Sequence, residues 1–161
     1  MAGSLEWVML AYRLPRQPSN PRVAIWRALR RLGAVQLVDG LVALPADERT
    51  REQLDWLADQ VLEAGGDASV WVARAGSAGQ ERALAARMAG AVADSYRAVA
   101  ADAERATTEP PASARRALAR LRRELRRIGQ RDYFPPKERD AAREAVRRLA
   151  ERLTTEEVGS R

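Results

Sequence analysis

The stretch Ala34–Pro45, AVQLVDGLVALP, holds two short apolar β runs joined by Asp39-Gly40. Ala34–Val38 and Leu41–Leu44 are each apolar and too short for a helix. Asp-Gly supplies the positive φ angles of a type I′ turn, so the spacing predicts a β-hairpin. Upstream, Glu6–Leu14 (EWVMLAYRL) is apolar and stops at Pro15, which predicts a buried strand. Between strand and hairpin, PRQPSNP (Pro15–Pro21) is a loop. Asn20 then caps a helix that opens with Pro21 and ends at Gly33, with Val23, Ile25, Trp26, Leu29 and Leu32 as its apolar positions. Downstream, Asp47 or Thr50 caps a second helix, with Leu54, Leu57, Val61 and Leu62 on one face and Gly65-Gly66 at its end. Ala68–Ala73 (ASVWVA) reads as a fourth strand.

The predicted order over residues 6–75 is therefore β-α-β-β-α-β. That is a ferredoxin-like split βαβ arrangement: a four-stranded antiparallel sheet with two helices on one face. The hairpin in the middle argues against a doubly wound parallel sheet. After Gly76 the pattern turns helical. Residues 78–106 are Ala-rich, with Leu84, Met88, Val92, Tyr96 and Val99 at intervals of three and four. TTEPPAS (Thr107–Ser113) breaks that helix. A second runs from Ser113 to Ile128 with Leu118, Leu121, Leu125 and Ile128 in one stripe, and Gly129 stops it. DYFPP (Asp132–Pro136) is a rigid turn, and a third helix extends from about Lys137 to Leu153, with residues 154–161 fraying. The fold class predicted is α+β: a ferredoxin-like domain at 1–76 and a C-terminal bundle of about three helices at 77–161.

Composition removes whole classes of chemistry. The 161 residues include no cysteine and no histidine. Disulfides, thiolate or imidazole metal sites, Ser-His-Asp triads and Cys-His proteases are excluded. No Gly-rich phosphate loop is present, so no cofactor is expected. There is no run of about 18 apolar residues, and Met1–Leu10 lacks a basic segment ahead of its apolar stretch. The expectation is a soluble cytoplasmic protein without a membrane span or signal peptide. Aromatic residues make up only 5 %, so platforms for stacking bases should be scarce. Trp7, Trp26, Trp56 and Trp71 fall on predicted strands and helices, where core packing is the default.

The net charge of +6 is unevenly spread. Residues 1–109 carry 13 basic and 14 acidic side chains, and residues 110–161 carry 15 and 8. All but one of the 28 basic residues are arginine, the exception being Lys137. Arg115, Arg116, Arg120, Arg122, Arg123, Arg126 and Arg127 surround the Leu stripe of the predicted helix at 113–128, with only Glu124 opposing them. Such a row is a candidate nucleic-acid surface with salt-dependent, largely sequence-independent affinity. The plainer alternative is a helix that packs by its leucines, wets its arginines and pairs some with Glu138, Asp140 and Glu144. A candidate anion site lies at Arg13 and Arg16, beside the first helix's N-terminus. The acids Asp47, Glu48, Glu52, Asp55 and Asp59 read as capping and solvated surface rather than a metal site.

Several of these segments resemble the N-terminal domain of ChrB-type chromate-resistance proteins. They are WVMLAYRLP (Trp7–Pro15), RVAIWRALRRLGAV (Arg22–Val35), VALP (Val42–Pro45), Thr50-Arg51-Glu52 and RDYFP (Arg131–Pro135). The family shows an LP-ended strand, an RVKIWRRLQRLGAV-like helix, a YVLP-like strand and an Asp-Phe-Phe turn between two terminal helices. The resemblance implies a ferredoxin-like domain similar to that of PaaX-type repressors and small CRISPR-associated endoribonucleases. It implies a DNA-binding transcriptional regulator of chromate resistance rather than an enzyme. The related nucleases place an acidic metal ligand at the end of the first strand, where this chain has Tyr12-Arg13. Metal-oxyanion sensing in the family is attributed to a second, C-terminal domain that these residues do not match, so a separate chromate-sensing domain is an implied partner. The alternative is an interaction module that forms a homodimer or docks that sensor without binding DNA.

Overall fold

A computed structural model describes residues 5–161. Nine elements follow in order: β1 (Glu6–Arg13), α1 (Asn20–Leu32), β2 (Val35–Val38), β3 (Leu41–Pro45), α2 (Glu48–Glu63), β4 (Asp67–Arg74), α3 (Ala78–Ala106), α4 (Pro111–Gly129) and α5 (Glu138–Gly159). Contacts divide the chain into two compact units, 1–88 and 89–161, and α3 runs through the division.

In the first unit the four strands form one antiparallel sheet in the order β2-β3-β1-β4. The α+β, ferredoxin-like expectation holds. Strand β1 is central, and its period-2 alternation sends Val8 and Leu10 to one face, in register with Leu44 and Val42 of β3. These four side chains are buried together with Ile25 and Leu29 of α1 and Leu54, Leu57 and Val61 of α2. The opposite face also carries buried residues: Trp7, Val35 and Ala43. The first turns of α3 are tied to this sheet. Glu81 accepts from the Leu5 amide (2.6 Å), the Arg87 guanidinium donates to the Gln36 carbonyl (2.7 Å), and Met88 is buried.

The hairpin is present, but its turn is not type I′. Gly40 has φ +79°, whereas no non-glycine residue has positive φ among the described residues, so Asp39 does not adopt the angle that turn requires. A register slip between Gln36 and Val38 absorbs the mismatch, as a bulge does. Gly40 is required for a second reason: its carbonyl accepts from the Tyr12 amide (2.8 Å), and a Cβ there would lie 2.5 Å from the Tyr12 oxygen.

Three further expectations need correction. Of the four tryptophans assigned to the core, only Trp7 is there, at 2 % exposed; Trp26, Trp56 and Trp71 are 52 %, 57 % and 61 % exposed. Each of the three is next in sequence to a residue that faces inward or lies part-buried (Ile25, Leu57, Val70), and the step of about 100° per residue in a helix, or the alternation of a strand, turns it away from that neighbour. Leu62, next to the buried Val61, points outward in the same way, and Val23 is exposed two residues before Ile25. Finally, α5 does not fray at Leu153 but continues to Gly159. Thr154 and Thr155 hydroxyls donate to the carbonyls of Ala150 and Glu151, and Arg152 pairs with Glu156 one turn on.

The second unit is a three-helix bundle. Val92, Tyr96, Val99, Ala103 and Ala106 of α3 meet Ala114, Ala117, Leu121 and Ile128 of α4 and Ala142, Ala145, Val146, Leu149 and Leu153 of α5. The alanines Ala114 and Ala117 of α4 and Ala142 and Ala145 of α5 suit the close approach of these two helices.

Helix α2 starts with a capping box. Asp47 Oδ1 accepts from the Thr50 amide (2.7 Å), and Thr50 Oγ1 accepts from the Asp47 amide (3.0 Å) while donating to the Pro45 carbonyl (2.7 Å). Thr50 is fully buried, and its partners are the backbone where β3 turns into α2. Thr50→Val keeps the shape and strands both partners. Chemical denaturation should show a loss of about 1–3 kcal/mol, whereas the exposed Thr155→Val should lose little.

Candidate nucleic-acid interface

Helix α4 has no acid in its first turn and places Arg126 and Arg127 in its last, favourable for the helix dipole. Its buried stripe is Ala114, Ala117, Leu121 and Ile128, with Leu118 and Leu125 partly covered. The step of about 100° per residue then divides the arginines between two flanks. Arg116, Arg120, Arg123 and Arg127 recur at i, i+4, i+7 and i+11 and form one row about 16 Å long. Arg115, Arg122 and Arg126 form the other. The first row borders an open groove of about 560 Å³ lined by Glu109, Ser113, Arg116, Ala117, Ala119, Arg120 and Arg123.

All seven arginines are exposed. Three are in ion pairs: Arg115 with Glu157 (3.1 Å), Arg120 with Asp102 (3.5 Å) and Arg127 with Glu124 (3.6 Å). Arg116 donates to Ser113 Oγ (3.2 Å). Arg122, Arg123 and Arg126 have no ion pair among the described residues. The acids foreseen as partners are engaged elsewhere: Glu138 with Arg97, Asp140 with Arg139, and Glu144 with Arg147. The Arg147 guanidinium beside Glu144 holds that carboxyl below the usual range. Glu157 and Asp102 lie on other helices, and no local spacing marks them. Exposed pairs of this kind contribute about 0–1 kcal/mol, so a phosphate group can displace them at little cost.

The residues proposed for an anion site are not assembled as one. Arg13 is paired with Asp67 across β1 and β4 (3.1 Å), and Arg16 lies exposed in the loop before α1. The N-cap of α1 is Ser19, which makes no side-chain capping bond. Asp47 serves as the α2 cap, and among the described residues no three acids converge on a point where they could share a metal ion.

Two features escape a reading of the sequence alone. Trp26 is exposed with the Arg30 guanidinium over its ring, 4.9 Å from the centroid. The signal available for it is that α1 contains no Asp or Glu. The other is the contact between Tyr96, 1 % exposed, and Asp132: the phenol donates to Asp132 Oδ2 at 2.7 Å. This joins α3 to the turn before α5, where Arg131 also donates to Ser95 Oγ (3.0 Å).

A ferredoxin-like α+β unit joined to a helical unit with an arginine-clad face defines the class: a basic α+β protein without a metal or imidazole centre among its described residues. The family model described as "Protein ChrB, N-terminal" matches residues 22–111, more than half of the chain, and the chain belongs to that chromate-resistance family. No curated protein and no solved structure matches it. No helix among the described residues is long and apolar enough to cross a membrane. Met1–Ser4, the start of the segment read against a signal peptide, lie outside the described residues.

Burial, the hydrogen bond to Asp132 and its charge raise the Tyr96 pKa to about 12, against 10.0 for a free phenol. The folded state therefore favours the neutral phenol. Its contribution is complete below about pH 10 and is lost as pH rises from about 10 toward 12. Tyr96→Phe should lower stability by about 1–3 kcal/mol near neutral pH, because Asp132 loses its donor. The gap from the parent chain should narrow in alkaline urea titrations, above about pH 10.

Proposed function

We propose that this chain is a non-enzymatic, cytoplasmic DNA-binding regulator of chromate resistance that grips backbone phosphates with the outer face of α4. One observation carries the reading: seven exposed arginines share one helix with a single acid, and four of them form a continuous row beside an open groove. Guanidinium groups suit phosphate because they bind it bidentately and stay charged at any working pH. Contacts to phosphate position a protein without reading sequence, so the operator would be selected by other contacts or by DNA shape. Membership of the ChrB family supports the link to chromate resistance. In this reading a separate domain senses the oxyanion.

A second reading, an interaction module that dimerises or docks the sensor, draws on the outer edge of β4. That strand ends the sheet and exposes Trp71 and Val72.

Mobility-shift titrations of duplex DNA at two salt concentrations test the first reading. The parent chain should bind at low salt and release as salt rises. Arg116→Glu with Arg123→Glu should weaken binding and flatten the slope of log K against log salt by about 1.8, that is ~0.9 for each lost contact. No cleavage should appear with Mg²⁺ or Mn²⁺. Absence of a shift at low salt, together with a dimer by light scattering, would favour the interaction module.

A further inference from the structure

Helix α1 lies in the other unit and carries a second cationic surface of different character. Its sequence NPRVAIWRALRRL has four arginines and no acid. Ile25 and Leu29 are its buried residues. Val23, Trp26, Arg27 and Arg30, at i, i+3, i+4 and i+7, occupy one outward strip, all exposed. Arg22 and Arg31 are exposed as well. None of the four arginines is ion-paired to a carboxylate among the described residues, although Arg22 is close enough to Tyr12 to act on its phenol. This contrasts with α4, where three of seven are paired.

Ile25 and Leu29 are the side chains that α1 buries, and the half-exposed Trp26 indole lies outside that pair. One face of the Trp26 ring is held by Arg30, and half of the side chain is open to solvent. A free aromatic face flanked by unneutralised guanidinium groups one helical turn apart is the chemistry that receives an unstacked base and its neighbouring phosphates. Bases inside a duplex present no free face, so the fitting occupant is a single strand. An anionic bilayer fits less well. Membrane-surface helices insert a broad apolar face, and here Ile25 and Leu29 are buried, leaving Val23 and Trp26 as the large apolar side chains outside.

We propose that α1 is a platform for single-stranded nucleic acid, on which a base stacks against Trp26 while Arg27, Arg30 and Arg31 hold adjacent phosphates. This does not depend on α4 gripping duplex DNA.

The test is fluorescence anisotropy of a labelled short oligothymidylate titrated with the full chain at low salt. Trp26→Ala should weaken binding roughly tenfold to a hundredfold, the value of one base stacked on an aromatic ring. Trp26→Phe should keep most of the affinity, and Trp56→Ala and Trp71→Ala should keep all of it. Arg27→Glu with Arg30→Glu should weaken binding and reduce the salt slope by about 1.4, at ~0.7 for each single-strand contact. Trp26 is on the surface, so thermal melts of its variants should match the parent. In the Arg116→Glu, Arg123→Glu background, adding Trp26→Ala should produce the same fold-loss, which separates this surface from α4. Equal affinity of the parent and Trp26→Ala chains overturns the proposal. So does a chain that ignores oligothymidylate while its tryptophan emission shifts to the blue on phosphatidylglycerol vesicles.

Discussion

The first unit depends on how closely backbone can approach the end of β1. That strand is paired along both edges, with β3 on one side and β4 on the other. At its C-terminal end two glycines close in. A Cβ on Gly40 would come within 2.5 Å of the Tyr12 oxygen, and one on Gly66 within 2.2 Å of the Arg13 oxygen. Gly65 before it has φ +85° and lets α2 turn directly into β4. The hairpin and the α2–β4 turn can therefore both press on β1 only where no side chain intervenes. With that approach secured, Val8 pairs with Leu44 and Leu10 with Val42, and both amphipathic helices gain an apolar surface to cover.

Most of this is legible in the sequence because its signals are local. Pro21 and Gly33 bracket α1, Asp47 and Thr50 open α2, and Asp39-Gly40 joins β2 to β3. What the sequence hides needs distance information. The dipeptide alone implies a I′ turn, whereas a bulge one residue upstream lets the chain turn with only Gly40 at positive φ. Residue type alone puts the tryptophans inside. Trp71 sits on β4, and that β4 ends the sheet follows from pairing order, which no spacing within ASVWVA reveals.

The arginine-rich helix is legible as a feature, and its electrostatic surroundings are not. Which guanidinium groups carry a counter-charge is decided by Asp102 and Glu157, 18 and 42 residues away from their partners. The i, i+3 and i, i+4 pairs on α5, such as Arg147 with Glu144 and Glu151, absorb acids that an inspection of charge alone would give to α4. The two basic helices thus differ in kind. One is a row of cations partly answered by its own bundle; the other has no carboxylate partner among the described residues and has an aromatic ring in its midst.

The alanines at the centre of the bundle have a consequence for the surface. Ala114 and Ala117 of α4 are buried in the same cluster as Ala103 and Ala142. These small groups set α4 close against α5, and turning α4 about its own axis would bring a bulkier side chain to that seam. The azimuth of the helix is locked from inside. Its guanidinium row therefore meets any ligand as a rigid comb whose teeth flex only at their tips, so little backbone entropy remains to be lost on docking.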